Sequence, residues 1–266
     1  MDMYENLSAL PDIQSSIDQR GLCIDAVGIK DVRYPLSVRS GGRSMPTVAL
    51  LTMTVGLPAT TKGTHMSRFI EILEAQTQAL SLDDFKTIVP AMLSRLDAQS
   101  GEVHMRFPYF IKKTAPVSGV QSQLDYDVCW TASGRREGEV ALRMRVSVPA
   151  TSLCPCSKEI SDYGAHNQRS HIHIEADIDE PVSIEELVAI AERGASCEVY
   201  GLLKRADEKY VTERAYDNPK FVEDLVRDVA LALDLDTRIK AFSVEAENFE
   251  SIHNHSAFAR IARGRK

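Results

Sequence analysis

Between Thr151 and His173 the chain reads TSLCPCSKEISDYGAHNQRSHIH, which places Cys154 and Cys156 on either side of Pro155 and holds three of the seven histidines, His166, His171 and His173. Thiolate and imidazole together suit zinc, and added carboxylate extends the range to iron or manganese. A Cys-x-Cys pair brackets one residue, poor geometry for a disulfide and shorter than the gap in most structural zinc knuckles. One thiolate on a metal with the second free for chemistry beside it suits that spacing. Two small buried hydrophobes would satisfy it as well, because unpaired cysteine is among the most buried residue types. Pro155 fixes φ and removes an amide donor, so the two thiols are expected on a short stiff turn rather than in a helix.

Downstream, His253 and His255 in IHNHSA share a side if the chain is extended there. His171 and His173 also share a face, but they alternate with Ile172 and Ile174 as on a solvated or interface strand. Three protein ligands around a metal with one open position would generate hydroxide near neutral pH, so such a site would hydrolyse its substrate. Carboxylates are numerous. Glu208, in KRADEKYVTER, is expected in a polar connection between helices, and Glu223, in FVEDLV, in the first turn of a helix where the dipole already favours it. Each alone is satisfied by a solvated surface role. Lys62, His65, Ser67 and Arg68, in KGTHMSRF, lie where a loop enters a helix N-terminus, a place that attracts anions. Lys158 and Arg169 are further cations near the thiols.

The elements that must position these groups follow from periodicity. Leu22 to Val38 and Thr47 to Leu57 read as a hairpin about Gly41-Gly42-Arg43, followed by a helix with Phe69, Ile70, Leu73 and Leu80 at helical spacing. Ser81 to Gln99 reads as a second helix, capped by Ser81 with Asp84 in the capping-box position, and Pro90 predicts a kink or two helices in succession. Three alternating segments follow, GEVHMRFPYFIKK, SQLDYDVCWTAS and EVALRMRVSV, the last two joined by the GRREG turn. Then come a strand from Arg169 to Asp179, a helix capped by Ser183 and Glu186, a helix with proline at its first position in NPKFVEDLVRDVALALDL, and two strands around a polar loop from Asn248 to Asn254. Paired helices between hairpins, used twice, indicate an α+β fold.

Length and composition exclude several classes. With 266 residues, 44% apolar and 26% charged, the chain is of ordinary globular make-up. A net charge of -7 argues against a general nucleic-acid or anionic-membrane binder. Five cysteines are odd in number and sparse, so reduced thiols are expected. MDMYENLSALPDIQSSIDQR has no basic start followed by an apolar core, and no later stretch approaches a membrane span; the expectation is a cytoplasmic protein. There is no Gly-x-Gly-x-x-Gly or Walker loop for a nucleotide.

LCPCSKEIS, GAHNQRSH, YGLLKRADEKYVTE, NPKFVEDLVRD and ENFESIHNHSAFA, together with KGTHMSRF, resemble the prokaryotic type IB GTP cyclohydrolase I family. The resemblance implies two tandem tunnelling-fold units, 1–150 and 151–266, each an antiparallel sheet with paired helices on one side, assembled as a homotetramer with active sites at interfaces. It implies hydrolytic opening of the imidazole ring of GTP, giving formate and 7,8-dihydroneopterin triphosphate for folate or deazapurine synthesis. It further implies a divalent metal (zinc, or manganese or iron) on Cys154, Glu208 and His253, with His166 in or next to that shell, and Cys156 as a second, catalytic thiol. Glu223 would anchor the guanine ring, accepting from N1–H and the 2-amino group as a bidentate pair, while Glu250 and His255 line the pocket. The cations at Lys62, His65 and Arg68, with Ser67, would face the triphosphate. Competing expectations are a nitrile reductase of the same fold, a zinc-stabilised binding module without catalysis, and a redox sensor built on Cys154 and Cys156.

Overall fold

The chain first reverses at Gly41-Gly42, whose φ angles of 51° and 76° supply the two-residue turn that matches the twist of flanking strands. In the computed structural model, which describes residues 12–264, this turn joins β1 (Ile24–Ser40) to β2 (Arg43–Leu57). Helices α1 (Met66–Glu74) and α2 (Leu82–Arg95) follow, then strands β3 (Ser100–Thr114), β4 (Gln121–Arg135) and β5 (Ala141–Leu153). The second half continues with α3 (Pro155–Ile160), β6 (Asn167–Ile178), α4 (Ile184–Gly194), β7 (Cys197–Glu198), α5 (Arg205–Asp217), α6 (Val222–Asp234), β8 (Ile239–Asn248) and β9 (Ala257–Gly264). The reading of the first twenty residues falls partly on residues 1–11, which lie outside the described part.

All strands pair antiparallel in one sheet ordered β1-β2-β3-β4-β5-β6-β8-β9, with the short β7 on β5. Each half has the expected antiparallel strands and paired helices. The two halves are then fused through β4 and β5, where Asp127 faces Ser147 and Ser133 faces Ala141. Residue 150 falls within β5, which is continuous to Leu153.

Strand alternation sends Met53, Met105, Trp130, Met144, Ile174 and Val244 to one face, all buried under the helices. The opposite face is open and polar, and there His171 and His173 stand as expected, the latter with Nδ1 2.8 Å from Ser147 Oγ. One hydrophobic cluster spans both halves, from Phe85 and Met92 on α2 to Leu187 on α4 and Leu225 and Val229 on α6. A Cβ at Gly194 would come 2.4 Å from Val229 Cγ2, so glycine here permits the approach of α4 to α6.

Four local expectations are corrected. Of the two readings at Pro90, that of two helices in succession is overturned, since α2 runs through it as one helix; the proline ring removes a single ladder bond, and Ile88, Val89, Met92 and Leu93 pin the helix to the sheet on both sides of it. KRADEKYVTER is helical as α5 and not a connection. That helix has no apolar stripe to betray it; Asp207 accepts from Lys204 N at 2.8 Å to start it, and Lys209 pairs with Glu213 one turn on. Pro219 lies before α6 rather than at its first position, because Asn218 is spent closing α5 and donates to the carbonyls of Ala195 and Ser196 at 3.0 and 3.1 Å. The Cys-Pro-Cys segment is a one-and-a-half-turn helix, since proline at the first helical position needs no N–H partner. Among the described residues no helix is long and apolar enough to cross a membrane.

Candidate active site

At one end of the sheet a buried hydroxyl and amide cluster ties three strands together. Ser152 Oγ and Ser170 Oγ are 2.6 Å apart, and Ser170 Oγ donates to Asn248 Oδ1 at 2.7 Å. All three residues sit on the core side, where a polar group persists only if it is paired. Immediately beyond them β5, β6 and β8 meet the segments that hold the candidate residues. Cys154 N donates to the His166 carbonyl at 3.2 Å, Phe249 N to Arg169 at 2.9 Å, and Lys220 N to Leu153 at 3.1 Å, which brings the start of α6 to the same end.

Cys154 caps α3, half-buried, with its Sγ accepting from Ser157 N at 3.5 Å. Cys156 is the second residue of that helix and is exposed. The two thiols of this motif thus differ in setting, one holding a helix end and one free. Ser157 Oγ accepts from His166 N at 3.2 Å, fixing the histidine backbone beside the cysteine turn. The imidazole Nδ1 of His166 lies 2.8 Å from Gln168 Oε1, and Gln168 Nε2 donates to Glu250 Oε1 at 3.1 Å. Ser251 Oγ is 3.3 Å from the same Nδ1.

His253 and His255 lie in the loop between β8 and β9, both exposed, with rings stacked at 5.1 Å and 12°. Glu208 is exposed in the first turn of α5 and Glu223 is exposed in the first turn of α6. Among the described residues no three His, Cys, Asp or Glu side chains converge closely enough to hold a metal. The donor types nevertheless suit one: Cys154 is a free thiol whose backbone N–H bonds the carbonyl of His166, and the Nδ1 of that imidazole is already hydrogen-bonded, which leaves Nε2 for a ligand role. Lys158 is committed elsewhere, donating to the Tyr216 carbonyl at 2.5 Å and lying 4.2 Å over that ring.

Behind this end lies an ionic network. Lys113, 8% exposed, donates to Glu192 Oε1 and Glu198 Oε2, each at 2.6 Å, while Tyr126 and Tyr200 donate to the same two carboxylates. Burial pushes the Glu192 carboxyl above its ordinary range. Burial acts the same way on Glu198, but hydrogen bonds from Lys113 and Tyr200 outweigh it and hold that carboxyl low. The neighbouring Cys197 thiol is buried and pushed up, which makes it inert. Asp207 is likewise sealed in; hydrogen bonds from Ser118, Lys204 and Val117 overcome its desolvation and keep it ionised, fastening α5 to the tip between β3 and β4.

The Lys62 group occupies the other end of the sheet. His65 stands at the N-terminal boundary of α1 without a side-chain capping bond, its Nε2 3.3 Å from Asp12; Ser67 is exposed, and Arg68 Nη1 reaches the Arg95 carbonyl at 3.3 Å. This loop leaves β2 at Leu57, close to where Val55 faces Gly101 and Gly101 faces Gly134. β5 starts at that end and reaches Leu153 only after its full 13 residues, roughly 40 Å of strand. Within one chain the two candidate groups therefore lie at opposite ends.

Gln168, Ser251 and Lys113 were missed in the sequence. Gln168 and Ser170 continue the buried face of Ile172 and Ile174, so a polar residue at a core position in β6 was the available signal.

A family model described as type I GTP cyclohydrolase folE2 matches residues 10–259. A GTP cyclohydrolase FolE2 of Paraburkholderia xenovorans (strain LB400) is 58% identical over 267 residues, covering 100% of this chain and 99% of that one. GTP cyclohydrolase FolE2 1 of Dechloromonas aromatica (strain RCB) is 58% identical over 262 residues, covering 98% of each. Among solved structures, uricase from Arthrobacter globiformis superposes with a TM-score of 0.54 at 8% identity, over 91% of this chain and 94% of that chain. Urate oxidase from Bacillus subtilis 168 gives 0.52 at 10% identity, over 90% and 98%. Those two likenesses concern the fold alone, which is the tunnelling fold. With Cys154, Cys156, His166 and Glu250 gathered at one end of that fold and near-full-length identity above one half, the chain belongs to the type I GTP cyclohydrolase FolE2 family.

Proposed function

We propose that the protein is a GTP cyclohydrolase I, opening the imidazole ring of GTP with water, releasing C8 as formate and recyclising the rearranged ribose carbons onto the freed amine to give 7,8-dihydroneopterin triphosphate. The observation that carries the reading is the gathering of the Cys154 turn, His166 and Glu250 at one sheet end in a chain of this family. Cys154 and His166 would hold a divalent metal, zinc or else manganese or iron, with Glu208 and His253 completing its shell. Residues of these types would hold a metal that, when bound, would activate water for hydrolysis.

The chain's own groups supply the rest. Glu223, exposed at the start of α6, offers a carboxylate to N1–H and the 2-amino group of guanine, a charge-assisted pair that selects this purine edge. Cys156, exposed one helical residue beyond Pro155, would pass a proton to the departing ring nitrogen or act as a transient nucleophile. Glu250 and His255 line the same end. Lys62, His65, Ser67 and Arg68 would bind the triphosphate, and because they sit at the far end of their own chain, they would serve the site of a neighbouring copy. A homotetramer with sites at its interfaces meets that requirement.

The test is incubation of the metal-reconstituted protein with GTP, following formate and the fluorescence of the oxidised pterin, with a chelator-treated control. Metal-dependent release of both is expected. Bound metal with neither product would overturn the reading.

A further inference from the structure

Gln168 touches both His166 and Glu250, and its chemistry leaves little freedom in how it does so. It points to the buried side of β6, 8% exposed, so its amide must be paired. An amide nitrogen only donates and an amide oxygen only accepts. The Glu250 carboxylate 3.1 Å from Nε2 requires the nitrogen on its side, which turns Oε1 toward His166 Nδ1 at 2.8 Å. The opposite orientation would set two acceptor oxygens against each other. An acceptor facing Nδ1 requires that Nδ1 carry the proton, and a neutral imidazole has only one, so Nε2 keeps its lone pair. Ser251 Oγ, 3.3 Å from Nδ1, is a rotatable hydroxyl and fits either way.

We infer that Gln168 is a positioning residue: it holds His166 as the Nδ1–H tautomer with Nε2 presented for ligation or proton transfer, and it seats Glu250 beside it. Neither contact needs Gln168 to meet substrate. The assignment rests on the metal and acid–base reading above for its purpose, but the tautomer is a property of the protein without metal.

The experiment is done on the full-length apoprotein labelled with ¹⁵N-histidine, using long-range ¹H–¹⁵N correlations to read the proton position on His166. Wild type is expected as Nδ1–H. Gln168→Leu should lose that preference, whereas the exchange Gln168→Glu with Glu250→Gln, which keeps an acceptor toward Nδ1 and a donor–acceptor pair between the two side chains, should keep it. His166 found as Nε2–H in wild type, or unchanged in Gln168→Leu, overturns the proposal. If Gln168→Leu fails to fold, the wild-type spectrum and the Gln168→Glu/Glu250→Gln exchange still decide. In parallel, zinc affinity is measured by competition with a chromophoric chelator. Gln168→Leu should bind about 10–100-fold more weakly, the usual cost of losing the partner of a metal-bound histidine. Cys154→Ala and His166→Ala are the controls. If those two bind zinc as wild type does, the metal reading has failed, and the tautomer result then bears on Gln168 alone.

Discussion

The two halves of the sheet share one order of elements and fill it with different chemistry. In the first half the space under α2 is taken by aromatic rings: Phe107 meets Trp130 edge-on at 5.2 Å and Phe85 lies 5.7 Å from the same indole. In the second half the corresponding strands offer Ile172, Ile174, Ala176, Val244 and Ala246, and polar residues reach the buried face at Gln168, Ser170, Ser152 and Asn248. A further long helix, α5, lies there and is anchored by Asp207 and by contacts around Glu198 instead of by an apolar stripe. Apolar packing tolerates small displacements, while a buried hydrogen-bond network specifies where each atom sits. The half that presents the candidate chemistry is the half built on networks.

The largest effects should expose this contrast directly. Phe85→Ala opens a cavity beside Trp130 and is expected to cost about 3–5 kcal/mol in denaturant unfolding, with turnover of the folded fraction close to wild type. Lys113→Met strands two buried carboxylates and is expected to cost a similar ~3–5 kcal/mol, but here turnover should fall as well, because Glu198 and Arg214 tie that network to α5 at 3.5 Å. Adding Glu192→Gln and Glu198→Gln to Lys113→Met should restore much of the stability. A Lys113→Met protein as stable and active as wild type would remove the ionic network from the account.

The second contrast, between the two ends of the sheet, predicts a recovery. Cys156→Ala is expected to retain metal and lose turnover by about 10²–10⁴-fold, the range of a positioned acid–base group, and Arg68→Ala should weaken GTP binding. If the two groups act on one substrate from different copies, mixing the two impaired variants by co-refolding restores part of the activity at GTP concentrations where each alone is slow. No recovery in verified mixed oligomers would place both groups in one chain's site.

Much of the fold was legible because it follows from alternation and capping. The β-strands announced themselves through period-two burial, as in Leu142, Met144, Val146 and Val148, and both serine caps were found where the sequence placed them. Helix α5 was not legible, since its solvent-facing charges give no 3.6-residue apolar period. The site divided in the same way. Cys154, Cys156 and His166 stood out by residue type, whereas Gln168 and Lys113 act through partners 82 and 79 to 85 residues away, contacts that no local pattern records. That the Lys62 loop lies at the opposite end follows from strand register, which only the paired sheet reveals.

The smallest expected effects compare the two capping boxes. Ser81 and Ser183 each cap a helix and bond a carboxylate three residues on, Asp84 and Glu186. Either Ser→Ala change should cost about 1 kcal/mol at neutral pH. Their acid dependence should differ. Hydrogen bonds from Ser81 are the main cause holding the Asp84 carboxyl below its ordinary value, with Arg39 secondary. For Glu186, burial works in the opposite direction and is outweighed by the Ser183 amide and by Arg238, with the Ser183 hydroxyl a lesser contributor. A carboxyl depressed in the folded state stabilises above its unfolded pKa, about 3.9 for Asp and 4.3 for Glu, and that contribution is lost as pH falls through the folded value. Ser81→Ala should therefore remove more of the acid-sensitive stability than Ser183→Ala: its deficit against wild type should be largest at pH 7 and shrink toward pH 3, while the Ser183→Ala deficit stays flatter because Arg238 remains 2.8 Å from Glu186. Urea midpoints for the three proteins between pH 7 and pH 3 decide it, and parallel losses for both variants would mean that the hydroxyls contribute only as caps and not through the carboxylates they face.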